Sequence, residues 1–229
     1  MKVVVFDMDD TLYDEASFVL SGLRAVAELM SQQWGIPKKS ALATMRQTLV
    51  RDGRGAIFDA TLLKYGQLSR RAVALCLNRY RTHTPEIRLY PDAMRALKRL
   101  QCYSLYVVTD GNPRVQRSKA QSLDLPSLVK QVVATWHHGR ARGKPSPDVF
   151  RRIARRERAL PAEVVYIGDD PNKDFVGIKP LGFRTIRVMR GRFRDLRLSP
   201  AHEADCRIDT LDAVTEELFK RLERSKRFT

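Results

Sequence analysis

The stretch Val3-Val4-Val5-Phe6-Asp7-Met8-Asp9-Asp10-Thr11-Leu12 decides the fold. Four apolar, mostly β-branched residues stop at once on an acidic cluster. A run this short, apolar on both faces, is the pattern of a strand buried inside a parallel sheet. The same grammar returns three times. Leu105-Tyr106-Val107-Val108 stops at Thr109-Asp110-Gly111-Asn112-Pro113, Val132-Val133-Ala134 follows, and Val164-Val165-Tyr166-Ile167 stops at Gly168-Asp169-Asp170-Pro171-Asn172. Phe183 to Val188 makes a fifth strand. Helical patterns separate the strands. Asp92 to Leu100 places Ala93, Leu97 and Leu100 at helical steps behind Pro91, and Pro147 to Leu160 sets Val149, Phe150, Ile153 and Ala154 against an arginine-rich face. Strands alternating with helices imply right-handed crossovers and a doubly wound α/β domain.

One region breaks the alternation. Phe18 to Met30, Lys38 to Val50, Ala56 to Tyr65 and Ser69 to Arg81 all carry apolar residues at three- and four-residue steps, punctuated by Pro37, Asp52-Gly53 and Gly66. The expected organisation is therefore a core of residues 1–14 and 91–229, with a helical bundle of residues 15–90 inserted as a cap.

Composition narrows the classes. The chain has 229 residues, 43% hydrophobic and 30% charged, which excludes a collagen-like, low-complexity or largely disordered polypeptide. No apolar run reaches the roughly 18 residues of a membrane span, and Val3 to Phe6 is too short for a secretory signal. Three cysteines without a CxxC pair suit buried free thiols, and a cytoplasmic location is expected. Lys and Arg number 42 against 26 Asp and Glu, a formal charge of +16. Such a chain attracts anions, either nucleic acid or small phosphorylated molecules. The basic segment Arg151-Arg152-Ile153-Ala154-Arg155-Arg156 has the spacing of a solvated helix face, and no nucleic-acid motif accompanies it. The small anionic substrate is the favoured partner, with a nucleic-acid-binding module as the alternative and a monomer or homodimer expected.

In an open α/β sheet, ligands bind beyond the carboxyl ends of the strands. Three strand ends deliver Asp7, Asp9, Asp10 and Thr11, then Thr109, Asp110 and Asn112, then Asp169, Asp170 and Asp174. Singly, each cluster reads as turn and helix-cap residues. If the first and fourth strands are neighbours, the carboxylates converge, and like charges so close call for a cation. Hard oxygen ligands favour Mg²⁺.

With Lys144 in Gly143-Lys144-Pro145, these four segments resemble the ordered motifs of the haloacid dehalogenase-like hydrolase superfamily. The insertion after the first motif is similar to the helical cap of the subgroup that includes phosphoglycolate phosphatase and β-phosphoglucomutase. The resemblance implies a Rossmann-like three-layer core with a central parallel sheet, plus an inserted α-helical bundle cap. It implies a Mg²⁺-dependent phosphatase of a small phosphorylated metabolite, with Asp7 as nucleophile, Asp9 as acid and base, Thr109 and Lys144 on the phosphoryl group, and Asp110 beside them. Asp7, Asp169, Asp170, Asp174 and the backbone carbonyl of Asp9 would surround the metal. An acidic residue two places after the nucleophile favours phosphoester chemistry, and a phosphomutase keeps the same motifs. The Arg51-Asp52-Gly53-Arg54-Gly55 loop of the cap offers Arg51 and Arg54 as clamps for an anionic substrate group, or a solvated turn. In Trp136-His137-His138-Gly139-Arg140-Ala141-Arg142, the two arginines are candidates for a second anionic group, and the histidine pair reads as an exposed loop or, alternatively, as a metal ligand or pH sensor.

Overall fold

The computed structural model describes residues 1–139 and 143–224. The chain divides into two compact units, one of Met1–Glu15 with Arg88–Thr229 and one of Ala16–Ile87.

The first unit is built on six parallel strands, β1 (Val3–Phe6), β2 (Ser104–Thr109), β3 (Gln131–Ala134), β4 (Val164–Gly168), β5 (Arg184–Val188) and β6 (Cys206–Ile208), in the order β3-β2-β1-β4-β5-β6. β1 sits between β2 and β4, with Phe6 opposite Val107 on one side and Ile167 on the other. Every residue of β1 and β4 is buried, which is why both read as unbroken apolar runs. β6 adds a strand that the sequence pattern does not announce, because Arg207 interrupts three residues.

The second unit holds four helices, α1 (Glu15–Trp34), α2 (Lys38–Asp52), α3 (Ile57–Lys64) and α4 (Arg70–Thr82), the first of them entered from Glu15. Leu23, Val26, Met30, Met45, Phe58, Leu62 and Cys76 form their core. Gly22 is required there, because a Cβ would stand 2.5 Å from a ring carbon of Tyr80 on α4.

Helices α5 (Pro91–Arg99), α6 (Pro113–Ser122), α7 (Leu125–Leu128), α8 (Asp148–Arg156) and α9 (Glu216–Arg224) complete the sheet-containing unit. Val149, Phe150, Ile153 and Ala154 of α8 pack with Val3, Val5, Tyr106, Val108 and Tyr166 of the sheet. α8 ends four residues before Leu160: Arg158 takes a left-handed conformation (φ 48°), and the Glu157 carboxylate is bound by Ser104, Tyr106 and Lys130. Of the cysteines, Cys76 is buried but Cys102 is exposed, so the expectation of three buried thiols does not hold. No described helix is long and apolar enough to cross a membrane.

Candidate active site

The strand order brings the three polar clusters to one sheet edge. β1 hands over Asp7, whose backbone N–H donates to the Ile167 carbonyl at 2.8 Å and ties the turn to β4. β2 ends on Thr109, and β4 ends one residue before Asp169. Lys144 reaches the same edge, with its Nζ 2.6 Å from Asp7 Oδ1, 2.8 Å from Asp174 Oδ1 and 2.9 Å from the Tyr166 hydroxyl. That hydroxyl donates in turn to Asp174 Oδ1 at 3.1 Å, and the Asp170 N–H donates to Asp174 Oδ2 at 3.0 Å. Asp174 is thus bonded at both oxygens, and Gly168 leaves it room: a Cβ there would lie 2.9 Å from Asp174 Cγ.

Carboxylate oxygens of Asp7, Asp169 and Asp174 lie within 4.8 Å of one another, all three residues buried. Burial pushes the Asp7 carboxyl up to about 7, with Lys144 pulling it down and Asp174 pushing it further up. Burial, then the neighbouring Asp174 and Asp7, push Asp169 up to about 9. Burial disfavours the Lys144 ammonium, yet Asp174 and Asp7 outweigh it and hold its pKa above the ordinary value. Three clustered carboxyls facing one ammonium cannot all ionise without a further cation, and the donors are hard oxygens. The residues present therefore fit a divalent cation of the Mg²⁺ type.

Asp9 lies beside this cluster in sequence and has its own environment. Its Oδ1 accepts from Tyr13 Oη at 2.5 Å and Lys119 Nζ at 2.7 Å, and its Oδ2 from Gln116 Nε2 at 3.2 Å. Burial works to raise its pKa, but Lys119, with Tyr13 and Gln116, holds it below the ordinary carboxylate value. Lys119 and Gln116 stand on α6, one helical turn apart, and the sequence reading does not find them. α6 buries Gln116, Lys119 and Ala120, so its inward face is largely polar and apolar periodicity cannot reveal it. The available signal is Asn112-Pro113, where the Asn112 side chain accepts from the Arg114 N–H and Pro113 opens the helix.

Thr109 Oγ1 is buried and has no hydrogen-bond partner among the described residues, a donor left for a ligand oxygen. Asp110 is turned elsewhere: its Oδ1 accepts from Thr135 Oγ1 at 2.5 Å and from the Lys144 N–H at 3.1 Å, so it steers the lysine segment. The Asp170 carboxylate accepts from the backbone and side-chain nitrogens of Asn172 at 3.0 and 2.7 Å. Asp7, Asp9, Thr109, Asp110, Lys144, Asp169, Asp170 and Asp174 are all carried at this edge of the sheet unit. Arg51 and Arg54 belong to the helical unit, where the exposed Arg51 guanidinium grips Asp52 through bonds of 2.8 and 2.7 Å. Arg140, Arg142 and the side chains of His137 and His138 lie outside the described residues.

The chain belongs to the haloacid dehalogenase-like hydrolase family, which it matches over residues 1–182. Within that family it is a phosphatase. It is 28% identical to the glyceraldehyde 3-phosphate phosphatase of Methanopyrus kandleri, over 94% of this chain and 98% of that protein. It is 32% identical to the phosphoserine phosphatase of Thermus thermophilus, over 70% of this chain and 63% of that one. Among solved structures, the HAD phosphatase of Thermococcus onnurineus aligns over 97% of this chain and 98% of its own, with a TM-score of 0.59 and 26% identity.

Proposed function

We propose that the protein hydrolyses the phosphate monoester of a small metabolite through a phosphorylated Asp7. The observation that carries this reading is the Lys144 ammonium seated between Asp7 and Asp174 beside the Asp169 carboxyl. Asp7 needs no base to become a nucleophile, but its negative charge must approach an anionic phosphate. Lys144 reduces that repulsion and the charge that develops on the transferring group. Thr109 donates its free hydroxyl to a phosphoryl oxygen. An Asp7 oxygen bonds to phosphorus as the ester P–O bond breaks, and Asp9, made a stronger acid than an ordinary carboxyl by the Lys119 ammonium that stabilises its anion, protonates the departing alkoxide and is left as the carboxylate. The Asp9 carboxylate then takes a proton from water, whose oxygen attacks phosphorus. Inorganic phosphate leaves and Asp7 is regenerated. A divalent cation of the Mg²⁺ type would be held by Asp7, Asp169 and the Asp9 carbonyl, with Asp170 and Asp174 behind them, and would supply further neutralisation of phosphoryl charge.

The separate Ala16–Ile87 unit carries Arg51 and Arg54, which in this reading are candidate contacts for an anionic group of the substrate. The relatives named for glyceraldehyde 3-phosphate and phosphoserine make those two compounds the first to test. Phosphate release is measured over a panel of phosphorylated metabolites with Mg²⁺, with Asp7→Asn as the blank. Loss of release in Asp7→Asn is expected, and undiminished release in that variant refutes the mechanism. Isomerisation of a sugar phosphate with little free phosphate would identify a mutase instead.

A further inference from the structure

A second charged cluster lies behind the catalytic edge, and the reaction just described does not use it. Arg187 on β5 is completely buried, and each of its three side-chain nitrogens donates a hydrogen bond. Nη1 donates to Glu203 Oε1 and Oε2 at 2.9 and 3.1 Å, Nη2 to the Phe193 carbonyl at 2.6 Å, and Nε to the Asp169 carbonyl at 3.2 Å. The paired Glu203 is buried too, and it also accepts from the Leu198 N–H at 3.2 Å and from Arg207 Nε at 3.2 Å.

Taking a guanidinium and a carboxylate out of water is costly, and apolar residues of similar volume commonly serve stability as well or better. The position of the pair is more informative than its existence. The β4–β5 ladder ends at Gly168 opposite Arg187. Asp169 is the next residue of β4's chain, and its carbonyl accepts from the Arg187 side chain where the ladder has run out. Asp169 is also one of the three carboxylates clustered at the site.

We propose that Arg187 is a positioning residue, which fixes the main chain of Asp169, and thereby its carboxylate, for a divalent cation. Glu203 and Phe193 hold the guanidinium so that its Nε–H points at that carbonyl. The inference rests on the metal reading given under Proposed function. Partners that orient a metal ligand typically carry a 10–100-fold share of the affinity.

The test is direct binding of Mn²⁺, followed by its paramagnetic resonance signal, to the full chain and to variants confirmed as folded by circular dichroism. Glu203→Gln keeps the guanidinium and is expected to stay within about twofold of the wild type. The double variant Arg187→Met/Glu203→Gln removes the donor without stranding a buried charge, and is expected to weaken Mn²⁺ by tenfold or more. Should that variant not fold, Arg187→Lys serves, because one ammonium paired to Glu203 cannot also reach the Asp169 and Phe193 carbonyls; the same tenfold loss is expected. A purely structural role would lower the melting temperature and leave the affinity of the folded protein unchanged, and that result overturns the proposal. Asp169→Asn is the control for the reading beneath it. If Asp169→Asn and the wild type bind Mn²⁺ alike, the metal site itself is wrong; if only the Arg187 variants do, the error is confined to this inference.

Discussion

In the metal-free protein, stability is expected to fall as pH rises from 5 to 8, opposite to the behaviour of a protein held by ordinary salt bridges. The Asp7 carboxyl titrates at about 7 in the fold against an ordinary value of 3.8. Between those values the folded state keeps a proton that the unfolded chain has released, so raising the pH favours unfolding. The stabilisation is fully present below about pH 4 and is lost as pH passes through 7. At roughly 1.4 kcal/mol per tenfold change in proton affinity, the gap from 3.8 to about 7 amounts to about 4 kcal/mol. Asp169, pushed to about 9, acts in the same direction over a wider range. Asp92 and Glu157 have the opposite sign, but they titrate near 2 and have finished changing well below pH 5. Of the Asp7 contribution, roughly two pH units' worth, about 3 kcal/mol, falls between pH 5 and 7; a domain of this size shifts by roughly 2–4 °C per kcal/mol, so Asp7 alone lowers Tm by some 6–12 °C over the assayed range. The assay is calorimetry or circular dichroism melting at unit pH steps in a chelator, repeated with Mg²⁺. The cation binds the deprotonated carboxylates, so it should restore most of the loss at pH 8 and little at pH 5. Asp7→Asn should flatten part of the slope. A Tm that is constant or rising from pH 5 to 8 in chelator would refute the electrostatic reading of the site.

Two further perturbations test single contacts. Lys144→Met removes the ammonium aimed at the charge that develops on the transferring phosphoryl group; losing one such preorganised donor typically costs roughly 10²–10³-fold in kcat, and a loss below tenfold in phosphate release argues against the assignment. Lys119→Met removes the cation 2.7 Å from Asp9, so the Asp9 carboxyl should hold its proton to higher pH and its limb of the kcat/KM profile should move alkaline; a profile superimposable on the wild type would show that Lys119 does not tune the acid.

What the sequence made legible follows from where its apolar residues fall. β1, β2 and β4 are buried on both faces and stop on acidic turns, so their runs and their ends are plain, and with them Asp7, Thr109 and Asp169. Asp174 is legible in the polar cluster behind β4, but Lys144 is found through the resemblance, because nothing local marks a loop lysine as the partner of residues 137 and 30 positions away. α6 and its Lys119 stay hidden because the helix turns polar groups inward. Arg187 hides for the same reason: in Arg184-Thr185-Ile186-Arg187-Val188 the sequence shows a charge in an apolar strand but not the Glu203 that accepts it.

The distribution of cations among these buried carboxylates indicates where a metal is needed. Asp7 and Asp174 share Lys144, and Asp9 has Lys119. Arg187 stands behind Asp169, yet its charge is taken by Glu203 and it gives Asp169 only a bond to the main chain. Asp169 is therefore the carboxylate of the site with no ion pair among the described residues, and the Thr11 hydroxyl at 3.5 Å is a weak substitute. It is also pushed higher than Asp7, to about 9 against about 7. A basic chain of +16 has ample lysine and arginine to pair it, and does not. The surplus positive charge suits long-range attraction of phosphorylated substrates, while the unpaired carboxylate at the centre keeps a place that a divalent cation, unlike a fixed side chain, can fill together with a phosphoryl oxygen.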